Sequence, residues 1–122
     1  MLIIHVLNIL TLTEIPCFSF MEDEAKPIAL QIWDTNTNAL AVVDASVTGK
    51  ILTLASSAAT DVILTDANVA QHSTIPSIFT ASISSTNMNL LETGNITLQW
   101  TKSSATYKAV GQLKLKKQTS VV

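Results

Sequence analysis

The stretch that decides the fold runs from residue 78 to residue 117 and reads IFTASISSTNMNLLETGNITLQWTKSSATYKAVGQLKLKK. Within it, Ile96, Leu98 and Trp100 alternate with Thr97, Gln99 and Thr101. Alternation with a period of two is typical of a strand that buries one face. This part of the chain therefore predicts a strand from residue 95 to residue 102.

A second alternating run extends from residue 106 to residue 116, after the short connection Lys102-Ser103-Ser104-Ala105. A turn centred on Ser103 and Ser104 would set the two runs side by side. The pairs that we expect are Trp100 with Tyr107, Leu98 with Ala109, and Ile96 with Gly111. A slip by one residue would move one apolar series to the wrong face, so the register is well specified. We predict a hairpin with Trp100 in the core.

The residues before this hairpin predict a strand and a short helical turn. Residues 78–84 place Phe79 and Ala81 on one side of a strand. Ser84-Ser85 can cap a helical turn from Thr86 to Leu91. Gly94 then stands where a turn would require a positive φ angle.

Strand patterns recur at short spacing through the rest of the chain. Residues 28–33 alternate, residues 39–43 form a short extended run, and strands are also expected at 47–54 and 61–64, with a loop at 65–77 that contains one helical turn. Recurrent short strands favour a sandwich. We therefore predict an all-β fold: an antiparallel immunoglobulin-like β-sandwich with one short helical turn.

The first twenty residues differ in composition from the rest of the chain. They are apolar, contain no lysine or arginine, and end before the acidic run that starts at Met21. Our preferred interpretation is an N-terminal extension at 1–20 with the true start at Met21; a signal-like peptide and a structural strand stay open as alternatives. The predicted organisation is an extension at 1–20, an acidic lead-in at 21–27, a single sandwich domain at 28–117 and a tail at 118–122. We expect a chain that starts at Met21 to fold as cooperatively as the whole chain.

Charge is divided unevenly along the chain. Residues 1–92 hold all nine acids and two lysines, whereas residues 93–122 hold five lysines and no acid. The cluster Lys114, Lys116 and Lys117 is a possible interaction surface. A solvated strand edge protected by lysines is one interpretation. Another is that these lysines pack against acids of a neighbouring copy, such as Asp23, Asp61 or Asp66. The chain has no arginine, so we expect no nucleic-acid partner.

Residue types that carry chemistry do not form a recognisable site. Asp34, Asn36 and Asn38 imitate the start of a calcium loop, but the later glycine and glutamate are absent and an Asx turn is expected instead. His5, Cys17 and His72 lack zinc spacing. His72 is expected to be a surface-loop histidine. We predict no catalytic, cofactor-binding or metal-binding residue, no cofactor, and a protein that is not an enzyme.

The order of strands from residue 28 to residue 115 resembles the small N-terminal β-sandwich of tailed-phage baseplate upper proteins and its relatives among phage structural proteins. The pieces that carry the resemblance are Leu30–Asp34 (LQIWD), Ala45–Thr48 (ASVT), Phe79–Ile83 (FTASI), Leu91–Gly94 (LETG) before Ile96–Trp100 (ITLQW), and Gly111–Leu115 (GQLKL). The resemblance implies a virion structural protein of a baseplate, tail or capsid, located in the particle. Its expected partners are other virion proteins or copies of itself, with no membrane and no small-molecule substrate.

One alternative function is an extracellular or cell-surface module that binds carbohydrate or mediates adhesion. Such a module would need aromatic side chains exposed on one face. Trp33 is the candidate, because Trp100 is expected in the core.

Overall fold

The structure is a computed structural model that describes residues 1–21 and 23–118. Strands account for 58% of it and helix for 5%, so the all-β prediction is confirmed. The elements in chain order are β1 (Leu2–Leu7), β2 (Phe18–Met21), β3 (Lys26–Asp34), β4 (Ala39–Leu40), β5 (Thr48–Ser56), β6 (Val62–Leu64), β7 (Val69–Gln71), β8 (Ile78–Ile83), α1 (Ser85–Leu90), β9 (Leu91–Lys102), β10 (Ala105–Leu113) and β11 (Leu115–Gln118).

The strands form one large sheet and one small one. In the large sheet the order is β6-β5-β9-β10-β1-β3-β8-β7, with β4 added beside β3. Strand β1 pairs antiparallel with β3 and parallel with β10, and β2 pairs parallel with β11. The sheet is therefore mostly but not wholly antiparallel, which corrects the sequence-based expectation.

The large sheet curls so that its two halves face each other. Phe79 of β8 and Trp100 of β9 lie four strands apart in the sheet order, about 19 Å apart if the sheet were flat. Their ring centroids are nevertheless 5.6 Å apart. One continuous core fills the space between the halves, with Leu30, Leu52 and Leu98 fully buried. The architecture is thus a sandwich- or barrel-like sheet.

The hairpin that the sequence predicts is present with the expected register. Strands β9 and β10 pair Trp100 with Tyr107, Leu98 with Ala109 and Ile96 with Gly111. Ser103 and Ser104 have φ angles of 52° and 68°, as a type I′ turn requires at both central positions. Trp100 is 2% exposed, so its placement in the core is confirmed.

The helical turn is also confirmed, although the role expected of Gly94 is wrong. Helix α1 is capped by Ser84, whose side chain accepts a hydrogen bond from the Asn87 amide. Strand β9 starts directly after the helix, and Gly94 lies inside it without a positive φ. A Cβ atom at residue 94 would come within 2.8 Å of the Ala55 Cβ. Close approach of β5 and β9 is therefore the reason for the glycine.

The loop expected at 65–77 contains a strand instead of a helical turn. Strand β7 pairs with β8 through Val69–Ala81, Ala70–Thr80 and Gln71–Phe79. Three residues are too few for an alternating pattern to be visible in the sequence.

The domain boundary expected after residue 20 does not coincide with a boundary in this fold. Strand β1 lies near the middle of the large sheet, and it pairs with β3 over six residues. The buried side chains that residues 1–20 contribute are Ile4, Val6, Leu7, Phe18 and Phe20. The structure thus uses this segment as structural strands, which was one of the alternatives. A translation start at Met21 stays a prediction.

Two parts of the predicted organisation fall partly outside the described residues. Glu22 of the acidic lead-in is one, and residues 119–122 of the tail are the other. Strand β11 extends to Gln118, one residue beyond the expected end of the sandwich.

Candidate interaction surfaces

The lysines at the end of the chain do not all point in the same direction. Lys114, Lys116 and Lys117 are exposed. In β11, however, Lys116 and Lys117 are consecutive, and consecutive side chains of a strand point to opposite faces. The backbone of this segment has a clear role: the Phe18 amide donates to the Lys114 carbonyl at 2.8 Å, where β11 joins β2.

Two of the three acids expected to meet those lysines are engaged within the chain. The Asp66 carboxylate lies 3.2 Å from the Lys50 Nζ atom and accepts hydrogen bonds from the Lys50 and Gly49 amides. The hydrogen bonds from the Lys50 amide and side chain lower the pKa of Asp66. Asp23 accepts a hydrogen bond of 2.6 Å from the Asn89 side chain. These carboxylates therefore fix loops within the chain.

The segment from Asp34 to Asn38, which imitates the start of a calcium loop, forms an Asx turn, as expected. The Asp34 Oδ1 atom accepts a hydrogen bond of 2.9 Å from the Asn36 amide, and Asn38 has a φ angle of 52°. The turn connects β3 to β4. His72 likewise organises a loop, because its Nδ1 atom accepts from the amides of Thr74 and Ile75 at 3.2 and 3.1 Å.

A pocket of about 250 Å³ between β1 and the segment before β2 brings together residues that are distant in sequence. It is lined by His5, Glu14 and Cys17 among others. The His5 Nδ1 atom lies 3.5 Å from the Glu14 carboxylate. Within residues 1–21 and 23–118, no three His, Cys, Asp or Glu residues are grouped so that they could hold a metal. The sequence interpretation overlooked this pocket because it set residues 1–20 apart from the domain.

The aromatic side chains are placed differently from what the carbohydrate-binding alternative needs. Trp33 is half-buried, and its ring contacts His5 in a tilted arrangement with centroids 5.5 Å apart. Tyr107 is 43% exposed, and it stacks on the buried Trp100 at 6.0 Å. The aromatic ring that is most open to solvent is therefore a single tyrosine at the hairpin.

The most extended surface lies on the outside of β6, β5, β9 and β10 and continues to β1, the first strand of the opposite half. Strand pairing aligns one residue from each of these strands in what we call the central row. In order across the sheet, the central row is Ile63, Thr53, Thr97, Val110 and Ile3. Each member alternates with a buried neighbour, so the row lies on the face away from the core. All five residues are β-branched: two isoleucines, two threonines and one valine.

Further residues flank the central row on the same face. Ile51, Gln99 and Lys108 are in register on the side nearer the hairpin. Asn95 and Gln112 pair on the other side, where their side chains are hydrogen-bonded. We call the central row and these five residues the outer face. Lys108 is its single charged member.

The outer face has an exposed isoleucine on one side and a groove on the other. Ile63 on β6 is 59% exposed. A groove of about 500 Å³ lies at the other side, lined by Ile3, Thr97 and Val110 with Asn95 and Gln112. The sequence interpretation did not find this surface, because threonine and isoleucine at alternate positions are ordinary strand residues. Only the register of five strands shows that they form one row.

The comparisons with known proteins do not assign the chain. No family model matches it. No curated protein matches it either. Among solved structures, a chain from work on T cell specificity and activation by the bacterial superantigen toxic shock syndrome toxin-1 has 7% identity and a TM-score of 0.44, with 95% of this chain and 100% of that chain covered. The seventh immunoglobulin domain of Dscam1 has 14% identity and a TM-score of 0.35, with 84% and 95% covered. The titin M3 domain has 10% identity and a TM-score of 0.35, with 82% and 88% covered. Similarity at this level carries no argument about function.

No helix in the described part of the chain is long and apolar enough to span a membrane.

Proposed function

We propose that this chain is a non-enzymatic building block that packs beside copies of itself or other structural proteins in a phage-like particle. The observation that carries the proposal is the outer face, which extends across five strands and includes one charged residue, Lys108. Depletion of charged residues is typical of the centre of protein–protein interfaces. The resemblance of residues 28–115 to phage structural sandwiches supports the virion as the setting.

We further propose that the sandwich is of the immunoglobulin type. Its two halves have the orders β7-β8-β3-β1 and β10-β9-β5-β6. If β1, β3, β5 and β6 are taken as strands A, B, C and C′, and β7 to β10 as D to G without the helix, the halves read DEBA and GFCC′. These are the orders of an immunoglobulin sandwich with one added edge strand. The short parallel pair of β2 and β11 would then be an addition to that plan.

The composition agrees with a role in assembly. Charged residues make up 13% of the chain and apolar residues 48%, whereas about 25% charged is usual for soluble domains. Exposed ion pairs typically contribute less than about 1 kcal/mol. Contacts between copies would therefore depend on apolar and hydrogen-bonded surface and would persist at high salt.

The test combines two measurements. Mass spectrometry of purified particles from the source should find the protein at a stoichiometric level, and sedimentation velocity should show self-association or binding to particle proteins from 50 mM to 1 M salt. A protein that stays monomeric and is absent from particles would refute the proposal. In that case glycan-array binding would test the adhesion alternative.

A further inference from the structure

We propose that His72 is a pH-sensitive latch: its neutral ring holds the loop at 72–77 closed over the sheet, and a proton on the ring releases that loop. The loop connects β7 to β8. The hydrogen bonds of the His72 ring and the apolar cluster beneath the loop carry the inference. It is independent of the proposed function, because it concerns a change of shape within one copy of the chain.

The His72 ring accepts hydrogen bonds from two backbone amides at a single nitrogen. Its Nδ1 atom lies 3.2 Å from the Thr74 amide nitrogen and 3.1 Å from the Ile75 amide nitrogen, and the Thr74 hydroxyl is 3.2 Å away. A ring nitrogen accepts only through its lone pair, so Nδ1 carries no proton here and the neutral ring bears its proton on Nε2. The Asn8 Oδ1 atom makes the same pair of contacts with the amides two and three residues after it.

The loop covers apolar side chains on the outer side of the sheet. Leu7 of β1, Ala29 of β3 and Ile78 at the start of β8 are each at most 2% exposed, and they form a cluster separate from the main core. Ile75 of the loop packs against this cluster. Because the Ile75 amide is one of the donors to His72, loss of that hydrogen bond loosens the residue that covers the cluster.

A second proton on the ring is incompatible with this arrangement. Nε2 already carries a proton, so the second can go only to Nδ1, where it would face the two amide N–H groups. The ring must then turn away, and the Thr74 and Ile75 amides lose their acceptor. The stability that the latch provides is therefore present at high pH. It is lost as pH falls through the range in which histidine ordinarily takes up a proton, about pH 8 to 5.

Other hydrogen bonds in the loop do not titrate, so the release is local. The Gln71 side chain donates to the Pro76 carbonyl at 2.8 Å. The His72 amide donates to the Ile78 carbonyl at 2.8 Å, and the Ile78 amide donates to the Ile75 carbonyl at 3.0 Å. Protonation should thus loosen the loop without unfolding the sandwich.

The charges beside the latch stay constant over the same pH range. Among the described residues, the charged side chains that line the pocket of about 400 Å³ next to His72 are Lys50 and Asp66, which form an ion pair at 3.2 Å. Hydrogen bonds from Lys50, chiefly from its amide, lower the pKa of Asp66, so the pair keeps both charges. Asp44 meets the neighbouring Gln71 through its backbone carbonyl, and residues 72–77 contain no acid or lysine.

The first experiment measures unfolding in urea at about pH 7.5 and about pH 5, on either side of the ordinary histidine titration. His72→Asn puts an amide oxygen that does not titrate in place of Nδ1, and His72→Ala removes the acceptor. Between the two pH values, the unfolding equilibrium constant of the wild type should rise about three- to tenfold relative to His72→Asn, as for the loss of one hydrogen bond. His72→Ala should be weaker than His72→Asn at both pH values. His5 and the carboxylates are common to all three proteins, so their titration cancels.

The second experiment follows the loop itself by nuclear magnetic resonance of the whole chain over the same pH range. As the His72 ring titrates, the Thr74 and Ile75 amide signals of the wild type should move with it, and nuclear Overhauser contacts between Ile75 and the apolar cluster should weaken. In His72→Asn these signals and contacts should persist at low pH. The β9–β10 hairpin is the internal control and should be unchanged in both proteins.

Either experiment can overturn the latch. Parallel loss of stability in the wild type and His72→Asn would show that His72 is not the group responsible. Ile75 contacts that persist while the His72 ring titrates would show that the loop stays closed, and this measurement needs only the wild type if a variant does not fold. Neither result bears on the presence of the protein in particles, so the proposed function is tested separately.

Discussion

Gly111 provides a direct test of whether β1 belongs to the sheet. A Cβ atom at residue 111 would lie 2.8 Å from the Ile4 carbonyl oxygen and 3.0 Å from the Ile4 Cβ. Both are shorter than ordinary contacts, and the first involves backbone, so Gly111→Ala would force β1 and β10 apart. Overpacking of this kind costs about 1–3 kcal/mol. Replacing a glycine in a strand by alanine by itself raises the free energy of unfolding by about 0.5–1 kcal/mol. We expect a net loss of about 1–2 kcal/mol in the free energy of unfolding.

Urea denaturation of the wild type and Gly111→Ala measures this loss, with an unchanged m value if both unfold from the same folded state. The control is the same substitution in a chain that starts at Met21, which has no Ile4 and should gain stability if it folds. Hydrogen exchange gives a second readout: amides of β1 should exchange faster in the variant, while the β9–β10 hairpin stays protected. An increase in stability in the whole chain would refute the placement of β1 beside Gly111.

Three further predictions concern the core, the hairpin turn and a loop. Trp100→Ala removes a side chain that packs against Phe79 and Tyr107 and should cost about 3–5 kcal/mol, whereas a loss below about 1 kcal/mol in urea melts would contradict its burial. Ser104→Gly should stabilise the hairpin by up to about 1 kcal/mol in thermal melts, because glycine accepts the φ angle of 68° without steric cost; destabilisation would argue against the type I′ turn. Because folding lowers the pKa of Asp66, the ionised carboxylate stabilises the fold at pH values above the ordinary carboxyl pKa of 3.8. This stabilisation is lost as pH falls through the folded-state pKa. Asp66→Asn should therefore weaken the decline in stability as pH falls from about 3.8 towards the folded-state pKa, and identical pH profiles for the variant and the wild type would contradict the role of Lys50.

The sequence predicted the parts of the fold that depend on local pattern. The β9–β10 register follows from alternation over long strands and from a four-residue connection, and the cap at Ser84 follows from side-chain chemistry. Strand β7 was missed because three residues give no period. The role of Gly94 was misjudged, because a turn and a close strand approach both select glycine.

The outer face could not be predicted for a different reason. Its central row joins β6 to β1 through four separate strand pairings. Local sequence patterns do not reveal the order of strands in a sheet, so they could not show this row. For the basic cluster, proximity in sequence suggested a shared surface. Lysines that are adjacent in sequence were expected to act together, yet consecutive residues such as Lys116 and Lys117 lie on opposite faces of a strand.

The position of β1 between β3 and β10 has a consequence for how the protein folds as it is synthesised. Strand β1 is made early, whereas β10 is made after almost all of the other strands. Until β10 has left the ribosome, β1 can pair only with β3, and its other edge stays open. An open apolar edge is a template for aggregation, and pairing between distant parts of a chain is slow because loop closure precedes the gain in contacts. We therefore expect joining of the two half-sheets at Ile3 and Val110 to be a late step, and the nascent chain to be the state that most needs a chaperone.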